Sequence, residues 1–144
     1  MTDSRKLKLN LESTLDSVEA AELIVQRLAQ LNGFTEELVD QIGMAVRETV
    51  ANAVTHGNGY SREKTVSIEA SIDEKAFRIT IADQGEGFDP EQVADPLDAE
   101  NILKASGRGL LLMRAFFDEV DVGPGNECGT KVVLVKYRSD QQTS

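Results

Sequence analysis

Two short runs, "KTVSIEASID" from Lys64 and "AFRITIAD" from Ala76, alternate apolar and polar side chains almost without a break and meet at Asp73-Glu74-Lys75. Alternation is the period of a β-strand, and two such runs joined across so few residues read as a hairpin. The remaining pattern is built around it. "KLKLNLES" alternates through Leu7, Leu9 and Leu11, the mark of a half-buried strand. "STLDSVEAAELIVQRLAQLNG" places Val18, Ala21, Leu23, Val25, Leu28 and Leu31 at helical spacings and stops at Asn32-Gly33. Thr35, followed by Glu36-Glu37-Leu38, opens a second helix with acidic residues in its first turn, where the dipole favours them. That helix is expected to run to about His56 and end at Gly57. "GRGLLLMRAFF" predicts a third helix, and "DEVDVG" and "TKVVLVKYR" two last strands. Helices layered on a mostly antiparallel sheet make an α+β fold, a two-layer sandwich.

Between Gly85 and Ser106 the periodicity fades. "GEGFDPEQVADPLDAENILKAS" carries two prolines, two glycines and many acids, which reads as a long ordered loop or a lid. A chain of 144 residues with 40% apolar side chains suits a single domain, here 1–138, followed by a disordered tail at 139–144. The formal charge of −10 argues against a nucleic-acid surface, which needs a basic face. It leaves room for a small phosphate ligand, because a local loop and a bound cation overcome the global field. One cysteine, Cys128, forms no internal disulfide and reads as a small buried hydrophobe. The first ten residues lack the apolar stretch of a signal peptide, and no apolar run is long enough to span a bilayer. A cytoplasmic location without membrane contact is the expectation.

Chemistry gathers at four places. In "ETVANAVTHGNGY", Glu48, Asn52 and His56 recur every four residues before the glycine-rich run Gly57-Asn58-Gly59. At about 100° per residue, Ile42, Val46, Val50 and Ala53 share one stripe, and Glu48 and Asn52 lie roughly 160° to 240° from it. An ordinary Glu/Asn pair there is a solvated polar face. Small neighbours at Ala45, Ala51 and Ala53 point instead to room for a ligand. His56 reads as a helix-end residue bonding the last carbonyls. The second place is "DQGEG", Asp83 to Gly87, where a carboxylate at a strand end precedes two glycines that let backbone approach a ligand. An ionised aspartate only accepts hydrogen bonds, which suits an exocyclic amine; a tight turn explains the pattern as well. The third is "SGRGL", Ser106 to Leu110, at a helix start, either a plain capped helix or an anion site. The fourth is "GNECGT", Gly125 to Thr130, a glycine-bracketed turn into the last strand.

Taken in order, these are Glu and Asn four apart on a helix, Asp-x-Gly-x-Gly after a strand, Gly-x-Gly-Leu on a helix start, and Gly-x-x-x-Gly-Thr before a strand. That series resembles the ATP-binding domain of sensor histidine kinases, type II topoisomerases and heat-shock chaperones, the Bergerat or histidine kinase-like ATPase fold, whose sheet is mixed but mostly antiparallel. The "HGN" after Asn52 and "GRGLLLMRAFFDEVDV" look most like the bacterial anti-sigma factor serine kinases of the RsbW/SpoIIAB type. The resemblance implies ATP and Mg²⁺ as cofactors, with Asn52 ligating the metal between the phosphates and Glu48 as general base. It implies Asp83 as acceptor for the adenine amine, with Gly85 and Gly87 shaping the pocket. Gly107, Gly109 and Leu110 would form the phosphate cradle, and Thr130 would support the adenine end. Arg108 either touches the γ-phosphate or faces solvent. In some relatives an arginine precedes the Ser-Gly of this box; Ala105 stands there instead, with Lys104 and Arg108 the nearest basic residues.

The implied function is that of a partner-switching regulator. It would bind a sigma factor and phosphorylate a serine on an anti-anti-sigma protein of the STAS type; relatives also dimerise, so a homodimer is part of the expectation. The alternative is an ATP-gated protein-binding module that transfers no phosphate. A detached catalytic fragment of a sensor kinase is disfavoured, because the chain opens on its own strand rather than on dimerisation helices.

Overall fold

The computed structural model describes residues 5–85 and 109–138. The proposed lid, the expected site residues Gly87, Gly107 and Arg108, the pair Lys104 and Ala105, the cap at Ser106, and the tail at 139–144 lie outside these residues. Among the described residues five strands form one sheet in the order β1-β2-β3-β5-β4. They are β1 (Arg5–Glu12), β2 (Thr65–Ile72), β3 (Ala76–Ala82), β4 (Glu119–Pro124) and β5 (Thr130–Tyr137). Every neighbouring pair runs antiparallel. Among the described residues three α-helices accompany them: α1 (Leu15–Leu31), α2 (Glu36–Asn52) and α3 (Gly109–Phe116). α2 packs between α1 and α3.

The predicted hairpin is β2–β3, with Ile72 opposite Phe77. Asp73 closes it by accepting hydrogen bonds from the backbone N–H groups of Lys75 and Ala76, at 2.8 and 3.0 Å. Those bonds, Lys75 first, hold its carboxyl below the ordinary carboxylate range. One face of the sheet is apolar by alternation. Val66, Ile68, Ala70 and Ile72 on β2, Phe77, Ile79 and Ile81 on β3, and Val132 and Leu134 on β5 are all buried.

Both long helices begin where capping chemistry starts them. Thr14 accepts a hydrogen bond from Ser17 N and Thr35 from Leu38 N. α1 ends at Asn32, whose Nδ2 donates to Leu28 O at 2.7 Å, and Gly33 follows with a φ of 87°. From α1 the core receives Val18, Ala21, Val25 and Ala29, whereas Leu23 and Leu31 are 59% and 61% exposed. From α2 it receives the predicted stripe of Ile42, Val46 and Val50, joined by Val39 and Ala45. Gly43 lets α1 lie close, since a Cβ there would overlap the Gln26 side chain. At the far end of the sheet Arg138 ties three elements together. Its backbone N–H donates to Lys75 O, Nη1 to Asp73 O and Nη2 to Asn32 O.

Candidate functional site

α2 stops earlier than its sequence predicts. After Asn52 the chain makes a single π-helical turn, Ala53–Gly57, in which Asn58 N donates to Ala53 O at 2.8 Å. Such turns hold one extra residue and recur at functional sites. The next residues turn sharply away: Tyr60, with a φ of 59°, donates its N–H back to Val54 O at 2.9 Å.

The reason for the stop lies across the turn. A Cβ on Gly57 would overlap the carboxylate of Asp83, and a Cβ on Gly85 would overlap the carbonyl oxygen of Gly57. On the other side a Cβ on Gly129 would overlap the backbone oxygen of Asp83, and Gly129 has a φ of 75°. Three glycines from three loops therefore converge on one aspartate. None of them tolerates a side chain without movement.

Asp83 is 7% exposed at the end of β3. Its Oδ1 accepts from Gly85 N and Thr130 N, each at 3.0 Å, and its own N–H donates to Thr130 O at 3.0 Å. Oδ2 has no hydrogen-bond partner among the described residues. Burial pushes the Asp83 carboxyl above its ordinary value of 3.8, while the N–H groups of Gly85 and Thr130 and the charge of Lys64 pull the other way. The result is an oriented acid with one oxygen fixed by backbone and the other without a partner among the described residues.

Asn52, on α2, is 7% exposed, and its Nδ2 is buried with no hydrogen-bond partner among the described residues. The solvated-face reading fails for this residue: a buried amide without a partner costs about 1–3 kcal/mol unless something completes it. Glu48, one turn earlier, is half-buried and makes no hydrogen bond to the described residues. Ala45 and Ala53 do not line a ligand space as expected; they are 0% and 6% exposed and pack into the core. Their small size serves helix–sheet packing. His56 is exposed and bonds none of the last carbonyls, because the π-turn already gives Ala53 O a backbone partner. Cys128 is exposed too, not buried, since it sits in the β4–β5 turn where Gly125 N reaches Gly129 O.

The structure thus brings together Asp83, Gly85 and Thr130, and places Glu48 and Asn52 on the helix whose end abuts them. Gly109 opens α3, which packs on α2, with Leu110 following it in the same helix. Sequence reasoning missed Gly57 and Gly129 as partners of Asp83. Their signal was present in "HGNG" and "GNECGT", but only the fold shows which group needs the space. Among the described residues no three His, Cys, Asp or Glu side chains gather closely enough to hold a metal ion by themselves, and no helix is long and apolar enough to cross a membrane.

Comparison with known proteins places the same residues in a family. The histidine kinase-like ATPase domain matches residues 11–136. An anti-sigma F factor of Clostridium perfringens is 40% identical over 111 residues, 76% of this chain and 79% of that protein. One from Bacillus thuringiensis is 36% identical over 115 residues, 78% of each chain. A serine-protein kinase RsbW of Oceanobacillus iheyensis is 27% identical over 148 aligned positions, 99% of this chain and 92% of that one. The chain belongs to the histidine kinase-like ATPases and, among them, to the anti-sigma factor serine kinases of the RsbW/SpoIIAB type.

Proposed function

We propose that this anti-sigma kinase binds Mg-ATP beside Asp83 and Asn52 and transfers the γ-phosphoryl group to a serine of a STAS-type anti-anti-sigma protein. That modification would stop the partner from displacing a bound sigma factor. The observation that supports this most is the carboxylate of Asp83, with Oδ1 held by two backbone N–H groups and Oδ2 without a partner among the described residues. An acceptor fixed in this way, with glycines on its flanks, suits a flat ring bearing an exocyclic amine.

The chain's own residues then divide the work. Asp83 accepts from the adenine amine, and Gly85, Gly87 and Thr130 bound that end of the pocket. Asn52 offers a neutral amide oxygen to the cation, which spares a crowded anionic site further charge. The Nδ2 of the same amide, buried and without a partner among the described residues, is a donor and suits a phosphate oxygen beside the cation. When bound, Mg²⁺ would neutralise and orient the phosphate oxygens. Gly109 and Leu110, at the start of α3, receive the phosphates at a helix N-terminus, with Gly107 and Arg108 of the same sequence motif as further phosphate contacts. Glu48 takes the serine hydroxyl proton as that oxygen bonds phosphorus and the bond to ADP breaks. An acidic protein also suits the basic and amphipathic helical surface of a sigma factor.

The test is incubation with Mg-ATP and a candidate STAS-type partner, followed by mass spectrometry. A phosphoserine on the partner is the expected result. Binding of ATP and partner without any phosphorylation would instead make the protein an ATP-gated binding module.

A further inference from the structure

Asn58 has no part in the assignments above, yet it is 3% exposed and its side chain makes three hydrogen bonds. Oδ1 accepts from Gln84 N at 2.7 Å, and Nδ2 donates to Thr65 O at 3.0 Å and to Ser13 Oγ at 2.8 Å. Gln84 answers through its own side chain, whose Oε1 accepts from Thr65 N at 2.7 Å. Asn58, Thr65 and Gln84 therefore form a closed ring of three hydrogen bonds. Ser13 joins it from the end of β1 and donates onward to Lys64 O.

Resting on the reading that Asp83 meets adenine, we infer that Asn58 is a positioning residue for adenine recognition, acting through the peptide bond between Asp83 and Gln84. Strand β3 ends at Ala82, so the N–H of Gln84 has no ladder partner, and the Asn58 side chain takes it instead. That bond sets the plane of the Asp83–Gln84 peptide. That restraint passes through Gln84 to the next peptide, whose Gly85 N–H joins Thr130 N–H in holding Oδ1 of Asp83, and so bears on which way Oδ2 points. Gly57 and Asn58 act as a unit: the first makes space for the carboxylate and the second holds the peptide that follows it. If the ring merely stabilised the fold, any of its bonds would be equivalent to the others. If it positions Asp83, the bond to Gln84 N is the one that matters to the ligand.

Isothermal calorimetry with Mg-ATP and Mg-GTP on the full chain tests this, with melting followed in parallel. Asn58→Ala should weaken ATP binding about tenfold, the effect of one lost hydrogen bond, and narrow the preference for ATP over GTP. Ser13→Ala and Gln84→Ala cut other bonds of the same knot and leave Asn58 bonded to Gln84 N. They should lower the melting temperature but keep the ATP dissociation constant within about twofold of the parent. Parental affinity and selectivity in Asn58→Ala would overturn the inference, as would an equal loss in Ser13→Ala. Should Asn58→Ala not fold, amide exchange in the parent decides. A protected Gln84 N–H without nucleotide is required, and exchange at the rate of an open amide overturns the inference. A parent that binds no ATP overturns the adenine reading and this inference together, whereas a binding parent with an indifferent Asn58→Ala overturns the inference alone.

Discussion

Burial opposes a charge on Asp83, so the cost of this residue and its use can be separated. The folded protein holds the Asp83 proton more tightly than the unfolded chain, so more protons are bound in the native state through this range. Its contribution to stability is therefore full below 3.8 and falls as pH rises through the elevated folded value. Asp83→Asn should abolish that fall, leaving the ligand-free protein at neutral pH at least as stable as the parent, as denaturant titrations at several pH values would show. The same substitution should harm binding. Two backbone N–H groups claim the amide oxygen, so Nδ2 would take the place of Oδ2 and, on the proposed binding mode, face the adenine amine, donor against donor. A loss of roughly 1–3 kcal/mol, about five- to 150-fold in the dissociation constant, is expected by calorimetry. A mutant that binds ATP like the parent would move adenine elsewhere. Glu48 calls for the opposite separation. Glu48→Gln keeps shape while removing the base, so ATP binding should persist while phosphoryl transfer slows by about 10² to 10⁴. Transfer at parental speed would remove Glu48 from the chemistry.

At the level of elements, the strands and the helix starts were legible because local rules decide them. Alternation identified β1, β2 and β3, and Thr35 with its two following acids identified the start of α2. What stayed hidden depended on which groups meet across the fold. A helical pattern assigned Leu23 and Leu31 to the α1 pattern, yet the sheet is covered by the face bearing Val18, Val25 and Ala29. Cys128 looked like a core residue by type, but a turn residue takes the exposure of its turn. The site was half legible: Asp83 and Asn52 stood out by type and spacing, whereas their burial and the glycines around Asp83 follow from long-range packing. Those glycines give a prediction of their own. In Gly85→Ala the new methyl meets the backbone of Gly57, not a side chain that can swing away. Overpacking of this kind typically costs about 1–3 kcal/mol. A lowered melting temperature together with lost ATP affinity is expected; retention of both would show that the Gly57–Gly85 contact is soft.

For the molecule as a whole, a ligand that binds only the folded chain must raise its stability. Mg-ATP at a hundred times its dissociation constant should contribute about 2.7 kcal/mol. For a domain of this size that corresponds to roughly 5–10 °C in melting temperature. Scanning calorimetry with Mg-ATP, with ATP plus EDTA, and with Mg²⁺ alone should show the largest shift in the first, and three equal curves would remove the metal–nucleotide pair. The strand order carries a consequence for synthesis. β5 is the last of the described strands to be translated, yet it lies between β3 and β4 and is the one neighbour of β4 among the described residues. Thr130, at its first position, also supplies the N–H that holds Asp83 Oδ1. A nascent chain that has reached only Gly125 carries the residues of the hairpin and both long helices, but lacks β5 and the Thr130 N–H that orients the carboxylate. On the proposed reading, ATP would have little to grip on such a half-made copy, and the capacity to bind it would arrive with β5 as that strand leaves the ribosome.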